Sequence, residues 1–169
     1  RRPPVLVTAS AVGYYGEQGD RPITEDTPPT PGCTHDLCAA WEREATKAGE
    51  LGVRVCLMRI GVVLDQGGGA LARMLPAFRM GAGGRLGAGK HWFPWSHRAD
   101  VTAICQWLLD NDKARGAYNV GAPNPVTNAE FTRALGRALG RPTVLPMPEA
   151  ALKLLFGEMS ELLLVSDRM

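Results

Sequence analysis

Apolar residues occur along this chain either in short unbroken runs or at helical spacing, and glycine or proline separates one pattern from the next. Three apolar residues open the stretch Val5–Gly16, which predicts a fully buried strand that ends in small hydroxylic residues. A helical pattern begins at Thr34, and Val53–Leu64 then predicts a second buried strand in which Arg59 is the polar exception. Strand, helix and strand in this order predict a parallel sheet.

The first predicted helix runs from Thr34 to the glycines at positions 49 and 52. Its apolar residues recur at helical spacing and therefore share one face, whereas its charged residues lie on the others. The apolar set is Leu37, Cys38, Trp41, Ala45 and Ala48, and the charged set is Glu42, Arg43 and Lys47.

The rest of the chain alternates between shorter elements. Proline, glycine and aspartate predict that Glu17–Cys33 is a loop without regular structure. Thr127 and Glu130 have the spacing of a capping box, and His97 is expected to cap or pack at the start of a helix. Helices are predicted around Leu71–Phe78, from His97, from Thr127 and from Pro148, and short extended segments at Trp92–Trp95, Ala117–Val120 and Val144–Met147.

The composition is that of an ordinary globular protein, with 169 residues, 45% of them hydrophobic and 21% charged. A net charge of +2 gives no reason to expect a nucleic-acid partner, and no apolar run approaches the roughly 20 residues of a membrane span. The four cysteines lack paired spacing, which favours a reducing, cytoplasmic compartment. Cys33, His35 and Cys38 do not match a common zinc pattern, so we expect no metal.

The charge is unevenly distributed. Residues 66–99 contain five basic residues and not one aspartate or glutamate. Such a stretch would suit an anionic ligand, although the stretch by itself favours a solvated basic face. The five are Arg73, Arg79, Arg85, Lys90 and Arg98.

Two stretches are candidates for ligand binding. In a parallel sheet, ligands bind at the carboxyl ends of the strands, where Thr8, Ala9 and Ser10 would lie. The run Gly67-Gly68-Gly69 matches the glycine pattern of a dinucleotide-binding loop, but no acidic residue follows before Asp100 to bind the ribose. We therefore interpret the triple glycine as a flexible connection or the start of a helix.

Several motifs together point to a known family. They are the strand end Thr-Ala-Ser…Tyr-Gly at positions 8–16, Trp41-Glu42 in a helix, Arg59-Ile60-Gly61-Val62-Val63-Leu64 before the triple glycine, and Phe93-Pro94-Trp95 before His97 and Asp100. Tyr118-Asn119-Val120-Gly121, Thr127-Asn128-Ala129-Glu130-Phe131 and the terminal Leu-Pro-Met-Pro…Phe-Gly-Glu-Met segment follow. In this order the chain resembles the second half of an extended short-chain dehydrogenase/reductase. The details are similar to the nucleoside-diphosphate-sugar epimerase branch, which includes proteins described as cell-division inhibitors.

The resemblance implies an α/β fold, the C-terminal half of a Rossmann-like parallel sheet with a small, mostly helical C-terminal subdomain. Residues 1–121 would belong to the nucleotide-binding domain and residues 122–169 would begin the C-terminal domain. The amino-terminal half of the family fold is not in this sequence, which also starts without methionine, so we expect a fragment of something longer. The implied activity is that of an NAD(P)-dependent oxidoreductase or epimerase acting on a sugar nucleotide or a similar anionic small molecule. NADP, or NAD, would be its cofactor, and an oligomer is compatible with the family.

The resemblance also assigns roles to individual residues. Ser10 would hydrogen-bond the reacting carbonyl or hydroxyl group of the substrate. The nicotinamide end of the cofactor would be lined by Thr8, Ala9, Gly61, Val62 and Val63, the last through its backbone. The phosphates of the substrate would be held by Arg79, Arg85 and Lys90.

One departure from the family raises an alternative. Counting back from Glu42, the catalytic tyrosine of the family falls at Thr34 and its lysine at Cys38. A lysine ammonium lowers the pKa of that tyrosine toward neutrality. The pKa of a threonine hydroxyl cannot be lowered that far, and cysteine carries no positive charge that would help. Thr34 and Cys38 are therefore weak catalytic candidates. The second hypothesis is a dinucleotide-binding protein that has lost catalysis and acts through protein contacts, for example in cell-division control.

A third possibility is a hydrolase built on Ser10, His97 and Asp100. It ranks lower, because the positions on either side of Ser10 that should be glycine hold Thr8 and Val12.

Overall fold

The computed structural model describes residues 2–144, 146 and 168. Three parallel strands form the main sheet in the order β1-β2-β6, and two small two-stranded sheets pair β3 with β5 in parallel and β4 with β7 in antiparallel. The strands are β1 (Val5–Ala11), β2 (Arg54–Ile60), β3 (Val62–Leu64), β4 (Trp92–Phe93), β5 (Trp95–His97), β6 (Gly116–Val120) and β7 (Val126–Thr127). The helices are α1 (Cys33–Thr46), α2 (Gly69–Arg79), α3 (Arg98–Asp110) and α4 (Asn128–Leu139), with 3-10 turns at Val12–Tyr15 and Lys47–Leu51.

The parallel pairing of β1 with β2 confirms the predicted sheet. Side chains alternate along β2, so that its two faces meet different helices. Cys56 and Met58 pack against Leu108 of α3 in the hydrophobic core, whereas Arg59 faces α1. The main sheet therefore lies between α1 and α3.

The predicted strand Val53–Leu64 is divided in two at Gly61. A side chain at this position would bring a Cβ within 2.6 Å of the Pro94 carbonyl oxygen, so only glycine allows the close approach. Val62 then donates its backbone N–H to that same oxygen at 2.7 Å, and the chain leaves β2 to pair with β5. The apolar run alone could not reveal this change of partner.

The predicted apolar face of α1 is buried only in part. Cys38 of that face is buried, but Leu37 and Trp41 are 52% and 55% exposed. Glu42, which was placed off the apolar face, is buried. Glu42 faces inward because it pairs with Arg59 on the sheet, and the helix rotates to make that contact.

The local helix signals are confirmed. Thr127 and Glu130 form the predicted capping box at the start of α4, and the His97 ring accepts a hydrogen bond from the Ala99 N–H at the start of α3. The triple glycine connects β3 to α2, where Gly68 is the N-cap residue.

None of the helices in the described residues is both long and apolar enough to span a membrane. The predicted elements at 144–147 and from Pro148 lie almost wholly outside the described residues.

The loop between β1 and α1 lacks regular helix or strand, as predicted, but side chains fix its course. The Gln18 side-chain amide donates to the Tyr15 carbonyl at 2.7 Å and to the Thr30 hydroxyl at 3.1 Å. Thr30 in turn donates its backbone N–H to the Tyr15 carbonyl at 2.8 Å. Gly16 begins this loop in the left-handed region, with a φ of 64°.

Replacement of Gly16 by alanine should lower the free energy of unfolding by about 2–5 kcal/mol. An added Cβ would be strained by the positive φ and would also overlap the Thr30 carbonyl oxygen. Gly52→Ala is the matched control, since Gly52 has a φ of 76° but no atom near its Cβ position, and it should cost only about 1–2 kcal/mol. Urea unfolding of both variants measures the difference, and equal losses would refute the importance of the Thr30 contact.

Candidate functional site

The candidate site lies where β1 and β2 end together. Their parallel register pairs Ser10 with Arg59 and Ala11 with Ile60, so that Gly61 and β3 follow directly beside the end of β1. Thr8 and Ala9 precede Ser10 in the same strand, and Ala9 is exposed. The structure thus brings the predicted residues of β1 and of positions 61–63 to one edge of the sheet.

A buried ion pair supports this edge from below. The Arg59 guanidinium binds Glu42 of α1 through two hydrogen bonds, Nε to Oε1 at 2.9 Å and Nη2 to Oε2 at 2.8 Å. Both residues are less than a tenth exposed. Burial opposes the charge on Arg59, but its hydrogen bonds to Glu42 and Tyr15 outweigh this and hold the pKa of Arg59 above its ordinary value. Arg59 is therefore charged, and its ion pair with Glu42 ties α1 to the sheet.

Ser10 is oriented by the same carboxylate. Its hydroxyl donates to Glu42 Oε1 at 2.7 Å, and Ser10 is only 6% exposed. An ionised carboxylate can only accept hydrogen bonds, so the single proton of Ser10 is committed to Glu42. Toward a ligand, Ser10 Oγ can offer lone pairs but no proton.

Two tyrosines surround the other side of Arg59. The guanidinium carbon lies 3.4 Å from the centroid of the Tyr14 ring, and Nη1 donates to the Tyr15 hydroxyl at 2.9 Å. That hydroxyl donates in turn to Asn119 Oδ1 at 2.7 Å. Burial raises the pKa of Tyr15 above its ordinary value of 10.0, although Arg59 opposes the shift, so Tyr15 stays neutral and its donor is directed at β6.

Sequence reasoning missed these partners of Ser10. Glu42 was placed among the charged residues off the apolar face of α1, and no role was assigned to Tyr15. One signal could have found them, because an arginine inside an otherwise apolar strand run requires a buried acid and further acceptors. Which residues supply them depends on long-range packing.

The predicted catalytic candidates of α1 lie beside the 3-10 turn that follows β1. A Cβ built at Gly13 would stand 3.3 Å from Thr34 Cβ and 3.7 Å from Cys38 Sγ, so both side chains flank this glycine. Burial raises the pKa of the Cys38 thiol, against a hydrogen bond from the Ala11 backbone that lowers it. Cys38 is thus a neutral thiol at physiological pH. The neighbouring His35 donates from Nδ1 to the Tyr14 carbonyl at 2.6 Å, because a carbonyl oxygen can only accept.

The backbone of residues 61–63 is held by two neighbouring segments of the chain. Gly61 donates its N–H to the Val120 carbonyl at 3.3 Å, and Val62 donates to Pro94. In a parallel ladder, alternate residues of a strand bond to a given neighbour, so the N–H and C=O of Val63 point away from β5. Val63 therefore directs its backbone N–H and C=O away from its strand neighbour.

The predicted phosphate-binding residues lie farther along the chain. Arg79 is the last residue of α2, and Lys90 is exposed shortly before β4. Arg85 faces α4 and lines a cleft together with Thr132 and Arg133, which sequence reasoning did not single out. The structure thus joins one residue of the basic stretch to α4.

A parallel sheet between helices, here β1-β2-β6 between α1 and α3, is the architecture of a Rossmann-like α/β fold. The family model "NAD dependent epimerase/dehydratase family" matches residues 1–121. The chain belongs to this family, as its motifs predicted.

Individual relatives agree with the family match. The chain is 47% identical, over 93% of its length, to 45% of the chloroplastic SDR39U1 homologue of Arabidopsis thaliana, an epimerase family protein. The crystal structure of human SDR39U1 with NADPH superposes with a TM-score of 0.93 at 36% identity, covering 98% of this chain and 57% of that one. A nucleoside-diphosphate sugar epimerase from Corynebacterium glutamicum superposes with a TM-score of 0.73 at 31% identity, covering 95% of this chain and 36% of that one. The chain spans about half the length of the curated relatives it matches.

Replacement of Glu42 by glutamine should lower the free energy of unfolding by about 3–5 kcal/mol. The variant leaves the buried Arg59 charge without its counter-ion, which is the costly way to break a buried pair. Glu44→Gln on the same helix is the matched control, because Glu44 pairs with Lys47 in solvent and its loss should not measurably change stability. Denaturant unfolding measures the stability of both variants. Equal free energies of unfolding would show that the Arg59–Glu42 pair does not hold α1.

The thiol of Cys38 should react much more slowly with iodoacetamide than that of Cys33. Cys33 is exposed, whereas Cys38 is buried and its raised pKa keeps the thiolate scarce. The labelling rate of Cys38 should still rise as the pH increases past 9, which is the ordinary pKa of a cysteine thiol. Peptide mapping by mass spectrometry after timed labelling measures both rates. Rapid labelling of Cys38 at pH 7 would instead indicate an activated nucleophile.

Proposed function

We propose that the protein is an NAD(P)-dependent oxidoreductase or epimerase that acts on a sugar nucleotide or a similar anionic small molecule. The observation that carries this proposal is the common edge of the sheet, where the end of β1 meets residues 61–63. Family membership supports it, and so does the human relative, whose structure contains NADPH. Among the solved neighbours, an epimerase from Thermotoga maritima is described with UDP-glucose.

The residues at this edge would hold the nicotinamide end of the cofactor. Thr8 and Ala9 would contact it from β1, and Gly61, Val62 and Val63 would line it from the other side. The backbone groups of Val63 that point away from β5 would bind the carboxamide. NADP is the first choice and NAD the second. When bound, the nicotinamide accepts or returns a hydride.

Ser10 would contact the reacting group of the substrate as a hydrogen-bond acceptor. Its proton is donated to Glu42, so it suits a substrate hydroxyl better than a carbonyl. Thr34 and Cys38, which flank Gly13 nearby, are the remaining candidates for contact with the substrate. Because Cys38 is a neutral, buried thiol, it cannot replace the positive charge of the family's lysine.

The anionic substrate would meet the basic stretch through Arg79, Arg85 and Lys90. We expect no nucleic-acid partner, and an oligomer is compatible with the proposal. A cytoplasmic location also remains a prediction, and the Arabidopsis relative is described as chloroplastic. The family match favours an enzyme over the dinucleotide-binding regulator that the loss of tyrosine and lysine suggested.

Isothermal titration of the full-length protein with NADPH and NADH tests the proposal. We expect NADPH to bind with a dissociation constant in the micromolar range. Gly61→Ala should weaken this binding at least tenfold, because the added Cβ would push residues 61–63 away from Pro94. Gly49→Ala, with no atom near its Cβ position, is the control and should bind normally.

The outcomes separate the hypotheses. Absence of heat from the unmodified protein at millimolar NADPH would refute the proposal. Circular dichroism shows whether Gly61→Ala is folded, and normal NADPH binding by the folded variant would exclude this edge as the nicotinamide site. Once a substrate is found, loss of turnover in Ser10→Ala with retained NADPH binding would argue against a purely regulatory protein.

A further inference from the structure

His35 lies beside the candidate site, and neither the sequence motifs nor the family resemblance gives it a role. It is the third residue of α1 and follows Thr34, where the resemblance placed the catalytic tyrosine. The family's tyrosine serves as acid and base because its proton can be exchanged with the substrate. A threonine hydroxyl cannot lose its proton near neutral pH, so the proposed reaction needs another proton acceptor at this edge.

The first turn of α1 lies beyond the end of β1. Glu42, near the other end of the helix, accepts from Ser10 in the strand, whereas Thr34 flanks the turn that follows the strand. His35 contacts that same turn, since its Nδ1 donates to the Tyr14 carbonyl at 2.6 Å. His35 therefore lies on the side of the strand ends, where the proposed substrate would bind.

Contacts with the turn hold the His35 ring in one orientation and one tautomer. A carbonyl oxygen can only accept, so Nδ1 carries the proton of the neutral imidazole and Nε2 carries the lone pair. The Tyr14 ring also packs against the imidazole, with its centroid 5.2 Å away. Nε2 has no hydrogen-bond partner among the described residues and is not buried. An oriented imidazole with an open lone pair is the arrangement of a general base.

No acid competes for this lone pair. Within the described part of the chain, no carboxylate lies within ion-pair distance of the imidazole. Across the Tyr14 ring lies the Arg59 guanidinium, whose carbon is 3.4 Å from the ring centroid. A proton on Nε2 is therefore free to pass to a ligand or to water. The titratable and charged groups nearest to His35 are Tyr14 of the turn, Arg59 of β2, and Cys33, Asp36 and Cys38 of α1.

We propose that His35 is the general base and acid of the active site, in place of the missing tyrosine. When the substrate alcohol is oxidised, Nε2 takes the proton of its hydroxyl group, and the electron pair of the carbon–hydrogen bond leaves as hydride to NADP⁺. The products are a carbonyl group, NADPH and an imidazolium, which returns the proton in the reverse step. Ser10 would hold the hydroxyl group before its proton turns to Nε2. This inference rests on the proposed function, which supplies the alcohol and NADP⁺.

The charge of the nicotinamide ring allows a test without a substrate. The ring is positive in NADP⁺ and neutral in NADPH, and the other groups of the two molecules are the same. A protonated His35 near the ring should therefore weaken binding of NADP⁺ but not of NADPH. Titration calorimetry of the full-length protein gives the ratio of the NADP⁺ to the NADPH dissociation constant. We expect this ratio to rise about threefold or more from about pH 8 to about pH 5.5.

His35→Asn separates proton transfer from a structural role. The asparagine amide stands near the position of Nδ1 and can still donate to the Tyr14 carbonyl, but it has no counterpart of Nε2 and does not titrate. In this variant the ratio should not change with pH, while NADPH affinity stays within twofold and stability to urea is kept. His97→Asn is the matched control, because asparagine also caps helices, and it should keep the full pH dependence.

Nitrogen-15 spectra of the imidazoles add a readout that needs neither a cofactor nor a variant. Neutral His35 should carry its proton on Nδ1. Neutral His97, whose Nδ1 accepts from the Ala99 N–H, should carry it on Nε2. A His35 proton on Nε2 would contradict the orientation on which the inference depends.

Three calorimetric results overturn the inference while the proposed function stands, because NADPH still binds in each. They are a ratio that does not change with pH in the unmodified protein, an unchanged pH dependence in His35→Asn, and loss of the pH dependence in His97→Asn alone. Absence of NADPH binding refutes the proposed function, and the inference fails with it.

Discussion

The structure depends on the buried ion pair between Arg59 and Glu42. Bringing a guanidinium and a carboxylate out of water is costly, and the cost is offset only when the hydrogen-bonding capacity of both is used. Here two direct bonds join them, Ser10 and Tyr15 complete the polar contacts, and the Tyr14 ring covers the guanidinium. The strand, the helix and the turn after β1 therefore share one polar centre beneath the candidate site.

This centre explains features that hydrophobicity alone does not. It turns α1 so that a charged residue faces the sheet and Leu37 and Trp41 face outward. It also directs the Ser10 proton away from any ligand and keeps Tyr15 neutral. The buried Arg59 and Glu42 therefore determine which proton donors and acceptors are available at the strand ends, although neither needs to contact a ligand.

The candidate site at the strand ends depends on backbone geometry. Parallel pairing turns the N–H and C=O of Val63 away from β5. A fold of this class supports many reactions, and the residues at the site, rather than the fold, carry the argument about substrate.

The sequence by itself determined the elements that depend on near neighbours along the chain. The strand at Val5, the α4 capping box and the His97 cap are set by residues a few positions apart, whose hydrogen bonds or spacing do not require a distant partner. The order of strand, helix and strand predicted the parallel sheet, and the family motifs added the common strand edge. Only the tertiary structure decided which face of α1 is buried, where the second strand breaks and which helix meets Arg85. Each of these is a contact between residues far apart in the chain, and the periodicity of one segment describes its own faces but not what covers them.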